Sequence, residues 1–330
     1  MGYFSLMALL EVKNLTTHLK IGKRSLPVVD GVSFSIDKGE ALALVGESGA
    51  GKSMTALSLM RILPKPPALD SEGEVILNGQ NLLSLSERAM RHIRGQRMGM
   101  IFQDPQSCLN PVYSIGEQLM EVIRFHLEMD ERQGYERCLR ALDEVGIEDS
   151  AKRFHAYPHE LSGGMKQRVM IAMALLCEPE VLIADEPTTA LDVTIQKQIL
   201  KLIKDLQKKK GMAVLLITHD MGVVNEVADR LVVMYAGKSV ESGPCPETLK
   251  NLKHPYSQAL MRSLPQAHRP KERLQVIPGS VPSLTELPEG CLFHPRCPFA
   301  WEECRNGSIA NYVVGKEQKA RCLLYREAKL

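Results

Sequence analysis

Polar and apolar residues alternate from Val32 to Ile36, and an unbroken apolar run extends from Ala41 to Val45; both patterns predict β-strands. The first strand leads into the turn-like Asp37-Lys38-Gly39 and the second runs directly into a glycine-rich segment. A helix is predicted from about Gly51 to Ile62, ending before Pro64, and the proline content of residues 63–73 predicts a loop. Glu74–Leu77 and Met98–Phe102 read as further strands, and Ile115–Gly146 as mainly helical with polar faces between its apolar positions. Gly164–Cys177 reads as a helix, Val181–Ala184 as a buried strand, Thr194–Lys210 as a helix, and Ala213–Ile217 and Leu231–Tyr235 as strands. Strands separated by helices of this length imply a parallel sheet with crossover helices. No internal repeat is visible. Beyond about Pro244 prolines multiply and the alternation stops, so a boundary is expected there, between residues 1–243 and 244–330.

At 330 residues the chain is long enough for about two domains. Its 44% hydrophobic and 24% charged residues are those of a globular protein and exclude disordered and fibrous classes. A net charge of +2 gives no electrostatic case for nucleic acid as a ligand. No apolar run approaches the ~20 residues of a membrane-spanning helix. The start MGYFSLMALL lacks the basic region and cleavage site of a signal peptide; Met1–Leu6 reads either as a non-native addition, with Met7 the candidate natural start, or as a short native leader. The expectation is a cytoplasmic chain in which disulfides are an unfavoured use of cysteine. Of the 8 cysteines, Cys108, Cys138, Cys177 and Cys245 are scattered, whereas Cys291, Cys297, Cys304 and Cys322 cluster near the end.

Val45 is followed by Gly46-Glu47-Ser48-Gly49-Ala50-Gly51-Lys52-Ser53, a full match to G-x-x-x-x-G-K-[ST] between a predicted strand and helix. Glycines let backbone N–H groups turn inward around a phosphate, and the helix that follows aims its positive end at the same anion. Lys52 is placed to reach the β- and γ-phosphates, and the Ser53 hydroxyl to ligate Mg²⁺. The complementary acidic site is expected at the end of a buried strand, where Val181–Ala184 runs into Asp185 and Glu186. Asp185 would hold Mg²⁺ through water, and Glu186 would polarise the attacking water as general base. Taken alone, the two carboxylates could equally cap the turn at Pro187; the phosphate loop upstream favours the catalytic assignment.

Between these halves lies Leu161-Ser162-Gly163-Gly164-Met165-Lys166-Gln167-Arg168, which closely resembles the signature of ABC-type ATPases. Gln103, after the strand ending in Phe102, matches that family's glutamine loop, Ala190-Leu191-Asp192 its dimer-contact loop, and His219 its switch histidine. The resemblance spans Gly46 to about Gly243. It implies an α/β P-loop NTPase of the ABC type, with a parallel-sheet core, an antiparallel β subdomain and a helical subdomain at about 104–178. It further implies a head-to-tail dimer in which Ser162, Gly163, Gly164 and Gln167 of one subunit face the ATP of the other, with Asp192 at the contact. His219 would contact the γ-phosphate, and Gln103 would touch Mg²⁺ or water. The family's adenine-stacking aromatic has no counterpart: no Phe, Tyr or Trp lies between Phe4 and Phe34, Leu19 and His18 stand near its place, and an insertion around Lys23–Pro27 lengthens the segment.

No coiled coil interrupts Met54–Glu160, and one cassette is present rather than two. The segment Phe102–Pro111, the triplet His254-Pro255-Tyr256 with the amphipathic Ser257–Leu264, and the tail Ile277–Pro298 are similar to the dipeptide/oligopeptide importer branch. That resemblance implies a peripheral subunit on the cytoplasmic face of the cell membrane that hydrolyses ATP to power peptide uptake. Its implied partners are two integral-membrane permease subunits, a second ATPase subunit (paralogous or identical) and, indirectly, an extracytoplasmic peptide-binding protein. Nickel or another solute as cargo, and a nucleotide-dependent regulatory switch with a redox-sensing metal tail, are the alternatives.

The late cysteines read C-x5-C-x6-C-x17-C, without the tight pairs of zinc modules. Four thiolates can hold a [4Fe–4S] cluster. By resemblance to the importer branch, Cys291, Cys297, Cys304 and Cys322 would hold one as a structural staple shielded by Phe299 and Trp301. Zinc and four unligated thiols are the other readings.

Overall fold

The computed structural model describes residues 8–189, 191–263 and 277–326. The segment Met1–Leu6, Ala190 of the expected dimer-contact loop and Leu264 at the end of the expected amphipathic segment lie outside the described residues. The chain forms two compact units: one contains the residues up to Leu83 together with those from Leu216 onward, and the other is Ser84–Leu215.

The first unit opens with β1 (Leu10–Ile21), β2 (Arg24–Ile36) and β3 (Ala41–Val45), followed by β4 (Glu72–Leu77) and β5 (Gln80–Asn81). An antiparallel sheet has the order β2-β1-β4-β5. The hairpin of β1 and β2 closes at Ile21↔Arg24, and Arg24–Pro27 pairs within β2, Pro27 opposite His18. β3 is buried along its whole length, and Gly46 takes over where it ends.

In the second unit β6 (Met98–Ile101) and β7 (Val181–Asp185) pair in parallel, Met98 opposite Val181 and Ile101 opposite Ala184. The helices between them are closed by local chemistry. Ser114 and Asp130 each form a capping box, with Glu117 and Gln133, at the starts of Ile115–His126 and Glu131–Glu144. The last helix of the unit, Val193–Lys210, buries Ile199, Ile203 and Leu206 on one stripe and ends in Lys208-Lys209-Lys210, which favours its negative end.

β8 (Ala213–Thr218) returns the chain to the first unit, where β9 (Arg230–Tyr235), β10 (Lys238–Pro244), β11 (Tyr312–Gly315) and β12 (Gln318–Ala320) follow. β9 lies parallel to β3, with Val45 opposite Val233, and antiparallel to β10. The late strands extend this sheet: β12 pairs with β10 at Glu241↔Ala320 and Ser242↔Lys319, and β11 pairs with β12. One apolar core joins Val45, Val233 and Tyr235 to Tyr256 and Phe293, with Cys291 and Cys297 packed against it. Residues from beyond Pro244 therefore pack on the strand that delivers the glycine-rich loop.

Candidate active site

In the first unit the Gly46–Ser53 segment wraps the start of the Lys52–Met60 helix. Gly51 is its N-cap at φ 97°, a left-handed conformation that glycine takes without penalty. A Cβ at Gly51 would meet the Val28 carbonyl oxygen at 2.7 Å, and one at Gly46 would meet the Met234 carbonyl oxygen at 2.3 Å, so neighbouring backbone dictates both glycines. The turn is tied down by Ala50 N–H donating to Glu47 O (3.2 Å), by Gly237 N–H donating to Ala50 O (2.9 Å), and by the Thr55 hydroxyl donating to Gly51 O (2.9 Å). Lys52 is buried, and its Nζ donates to the carbonyls of Gly46 (2.9 Å) and Glu47 (3.0 Å), which holds the ammonium inside the curve of the loop. His219 follows β8 in this unit and is exposed.

The second unit carries the carboxylates. β7 ends at Asp185, 5% exposed, and Glu186 follows in a left-handed conformation (φ 45°). Positive φ is uncommon for a residue with a Cβ, and here it turns the chain sharply off the strand end. The Glu186 carboxylate is fixed from two sides: the Gln103 amide donates to Oε2 over 3.1 Å, and the Thr189 hydroxyl donates to the same oxygen over 3.0 Å. Gln103 and Glu186 thus meet, whereas Thr189 is a contact that the sequence pattern did not single out.

Ser162 caps the Gly163–Leu175 helix by accepting from Met165 N–H (3.3 Å), so the helix starts one residue ahead of the expected Gly164. Asp192 caps Val193–Lys210 by accepting from Ile195 N–H (2.9 Å). These two helix starts adjoin: a Cβ at Gly164 would lie 3.2 Å from the Ile195 side chain, and one at Gly163 would lie 3.8 Å from Leu191. Gln167 is buried, and its amide nitrogen has no hydrogen-bond partner among the described residues.

The glycine-rich loop, the strand-end carboxylates and the Ser162-capped helix all lie within one stretch that matches a known family. Residues 29–189 match the ABC transporter family, and residues 240–304 match the oligopeptide/dipeptide transporter C-terminal region. The chain is 48% identical over 330 residues to a putative peptide import ATP-binding protein of Brucella melitensis, covering 97% of this chain and 98% of that one. It belongs to the ABC transporter ATP-binding subunits of the dipeptide/oligopeptide importer family. Identity to the dipeptide transport ATP-binding protein DppD of Escherichia coli is 46%, with 96% of each chain covered. Among solved structures, the dimeric ATP-binding cassette MJ0796 in a post-hydrolysis state bound to ADP and Pi superposes with a TM-score of 0.63 at 28% identity, over 72% of this chain and 98% of that one. The fold is the ABC-type P-loop NTPase.

In the importer-type tail, Cys291, Cys297, Cys304 and Cys322 line one cavity, whose wall includes Phe293, Phe299 and Trp301. Burial pushes the Cys291 and Cys297 thiols up, and that of Cys322 up to about 11. Among the described residues no three His, Cys, Asp or Glu side chains stand close enough together to hold a metal ion. His254 and Tyr256 are both buried: His254 Nδ1 caps the Pro255–Arg262 helix by accepting from Tyr256 N–H (3.1 Å). No described helix is long and apolar enough to cross a membrane.

Proposed function

We propose that this chain binds Mg²⁺-ATP on Gly46–Ser53 and that Glu186 activates water for its hydrolysis. The subunit is an ATPase that powers uptake of dipeptides or oligopeptides. The observation that carries the residue assignment is the pair of hydrogen bonds from Gln103 and Thr189 to one Glu186 oxygen, which orient a carboxylate at the end of a buried strand. A group held in one orientation can take a proton from water without first reorganising. Lys52 and the inward-turned loop amides supply the positive field for the phosphates, Ser53 and Asp185 the Mg²⁺ ligands, with Gln103 reporting the metal or water. His219 would contact the γ-phosphate. Ser162, Gly163, Gly164 and Gln167 would meet the ATP of a second subunit, identical or paralogous, with Asp192 at that contact.

Residues 1–243 would then be the ATPase and 244–330 its importer-type extension, seated on two permease subunits at the cytoplasmic face of the membrane and served indirectly by a peptide-binding protein. For the extension, Cys291, Cys297, Cys304 and Cys322 line one cavity walled by Phe293, Phe299 and Trp301, and four thiolates are the ligand set of a [4Fe–4S] cluster. Cys291, Cys297, Cys304 and Cys322 would hold a [4Fe–4S] cluster that staples the tail. The test of the whole reading is co-purification of the membrane complex followed by peptide uptake with Glu186→Gln. Uptake and turnover should fall together; uptake that survives without turnover would overturn the motor role.

A further inference from the structure

The phosphate loop is not held by the ATPase core alone. Glu47, the second residue of the loop, receives two contacts from the importer-type tail. Its backbone N–H donates to the Tyr256 hydroxyl over 2.8 Å, across 209 residues of sequence. Its carboxylate accepts two parallel bonds from Arg296, Nη1 to Oε2 (2.9 Å) and Nη2 to Oε1 (3.1 Å), across 249 residues. Arg296 is itself locked. Its side chain is 6% exposed, Nε donates to Pro278 O (2.8 Å), and the guanidinium lies 5.8 Å from the ring centres of both Tyr235 and Phe293. Bidentate guanidinium–carboxylate pairs are among the stronger polar contacts and fix orientation as well as charge.

From this geometry we infer that Arg296 and Tyr256 are positioning residues for nucleotide binding: the tail clamps Glu47, sets the curve of the phosphate loop and cancels a negative charge within it. The charge argument is specific. A triphosphate brings several negative charges to a loop whose second residue is a carboxylate, and at separations of a few ångströms an uncancelled like charge weakens binding. Arg296 neutralises that carboxylate in a place where water screens it poorly, since the side chains are only 6% and 26% exposed. Neither residue touches the reacting atoms, so the clamp should act on affinity and leave the chemical step alone. The tail would thereby tune how tightly the motor holds ATP.

The inference rests on Gly46–Ser53 being the phosphate site, and the experiment separates the two. ATP affinity is measured by titration calorimetry, and KM and kcat by phosphate release, on the 330-residue chain. Arg296→Ala should weaken ATP binding by about tenfold, the size of one lost charge-assisted bond, with kcat at saturating ATP within about twofold of wild type. Adding Glu47→Gln to Arg296→Ala removes the uncancelled charge and should recover the electrostatic part of that loss, which damage to the tail would not allow. Tyr256→Phe removes only the hydroxyl and reads the clamp through its second contact, with an expected rise in Kd of about threefold to tenfold. Wild-type affinity in Arg296→Ala or in Tyr256→Phe would overturn the clamp, and a double variant as weak as Arg296→Ala would overturn its charge-cancelling role. Lys52→Ala is the control: wild type binding ATP no better than Lys52→Ala would overturn the phosphate-site assignment instead.

Discussion

The side-chain amide of Gln103 donates to Glu186 Oε2 over 3.1 Å, joining the loop after β6 to the end of β7. The two donors on Oε2, from Gln103 and Thr189, hold the carboxylate in one orientation. Glu186→Gln retains the size and the contacts but cannot accept the proton. ATP turnover in the assembled transporter should fall by about 10²–10⁴-fold while ATP binding persists. Gln103→Ala should cost less, about tenfold, since Thr189 still holds the same oxygen. Phosphate-release kinetics beside nucleotide affinity measure both; undiminished turnover in Glu186→Gln would remove the residue from the chemistry.

Gly51→Ala tests the loop from its backbone. The added Cβ would sit 2.7 Å from Val28 O and 3.3 Å from Gly237 Cα, and the residue would have to keep φ near +97°. Neither obstacle is a flexible side chain, so the loop must move. ATP affinity should fall by at least about tenfold, with strain of roughly 1–3 kcal/mol also lowering the melting temperature. Calorimetry and a thermal melt together read the two effects; a variant that binds ATP normally would show that the loop tolerates displacement.

Which parts of this architecture were legible in the sequence depended on how local their causes are. β3 matched its expected span, Ala41–Val45, because a five-residue apolar run stands between a turn and a glycine. β1 left no readable period: its register shifts between Val12 and Leu15, between Leu15 and Thr17 and between Thr17 and His18, and Asn14 has positive φ, so the two-residue alternation is lost. β2 was recognised only over Val32–Ile36, its earlier half carrying Pro27 and the positive-φ Gly31. The phosphate loop and strand-end carboxylates were readable because each lies within one short segment. The Glu47–Arg296 pair and the Tyr256 hydroxyl contact were not, since nothing near Glu47 in sequence signals a partner more than 200 residues away. His254-Pro255-Tyr256 marked the importer branch, but only the fold places its tyrosine on the loop.

Four cysteines facing one cavity make iron content a direct measurement. Anaerobically purified protein should be brown, with iron and acid-labile sulfide, and Cys297→Ser should lose both. Cys177→Ser, which removes one of the scattered thiols in the other unit, should keep them. Colourless protein holding stoichiometric zinc would overturn the cluster and leave the four-thiol site with a single metal.

The buried end of the tail predicts a pH dependence. His254 is 1% exposed, and burial pushes its pKa down to about 3, so the folded chain holds it neutral. In the unfolded chain the imidazole returns to about 6.5 and takes up a proton below that value. Stability from this residue is therefore complete above about pH 6.5 and declines as pH falls from 6.5 towards 3, by up to about 1.4 kcal/mol per pH unit. Glu241 works in the opposite direction. It accepts from His254 N–H (2.9 Å), Lys253 N–H (2.7 Å) and the Gln318 amide (2.9 Å), yet burial outweighs these bonds and raises its pKa. Its contribution is lost as pH rises through that raised value. His254→Asn isolates the histidine, because asparagine can still cap the Pro255–Arg262 helix and does not titrate. Melting temperatures measured from pH 7.5 to 5.5 should fall more steeply for wild type than for His254→Asn; parallel curves would show that His254 does not carry the acid sensitivity of the tail.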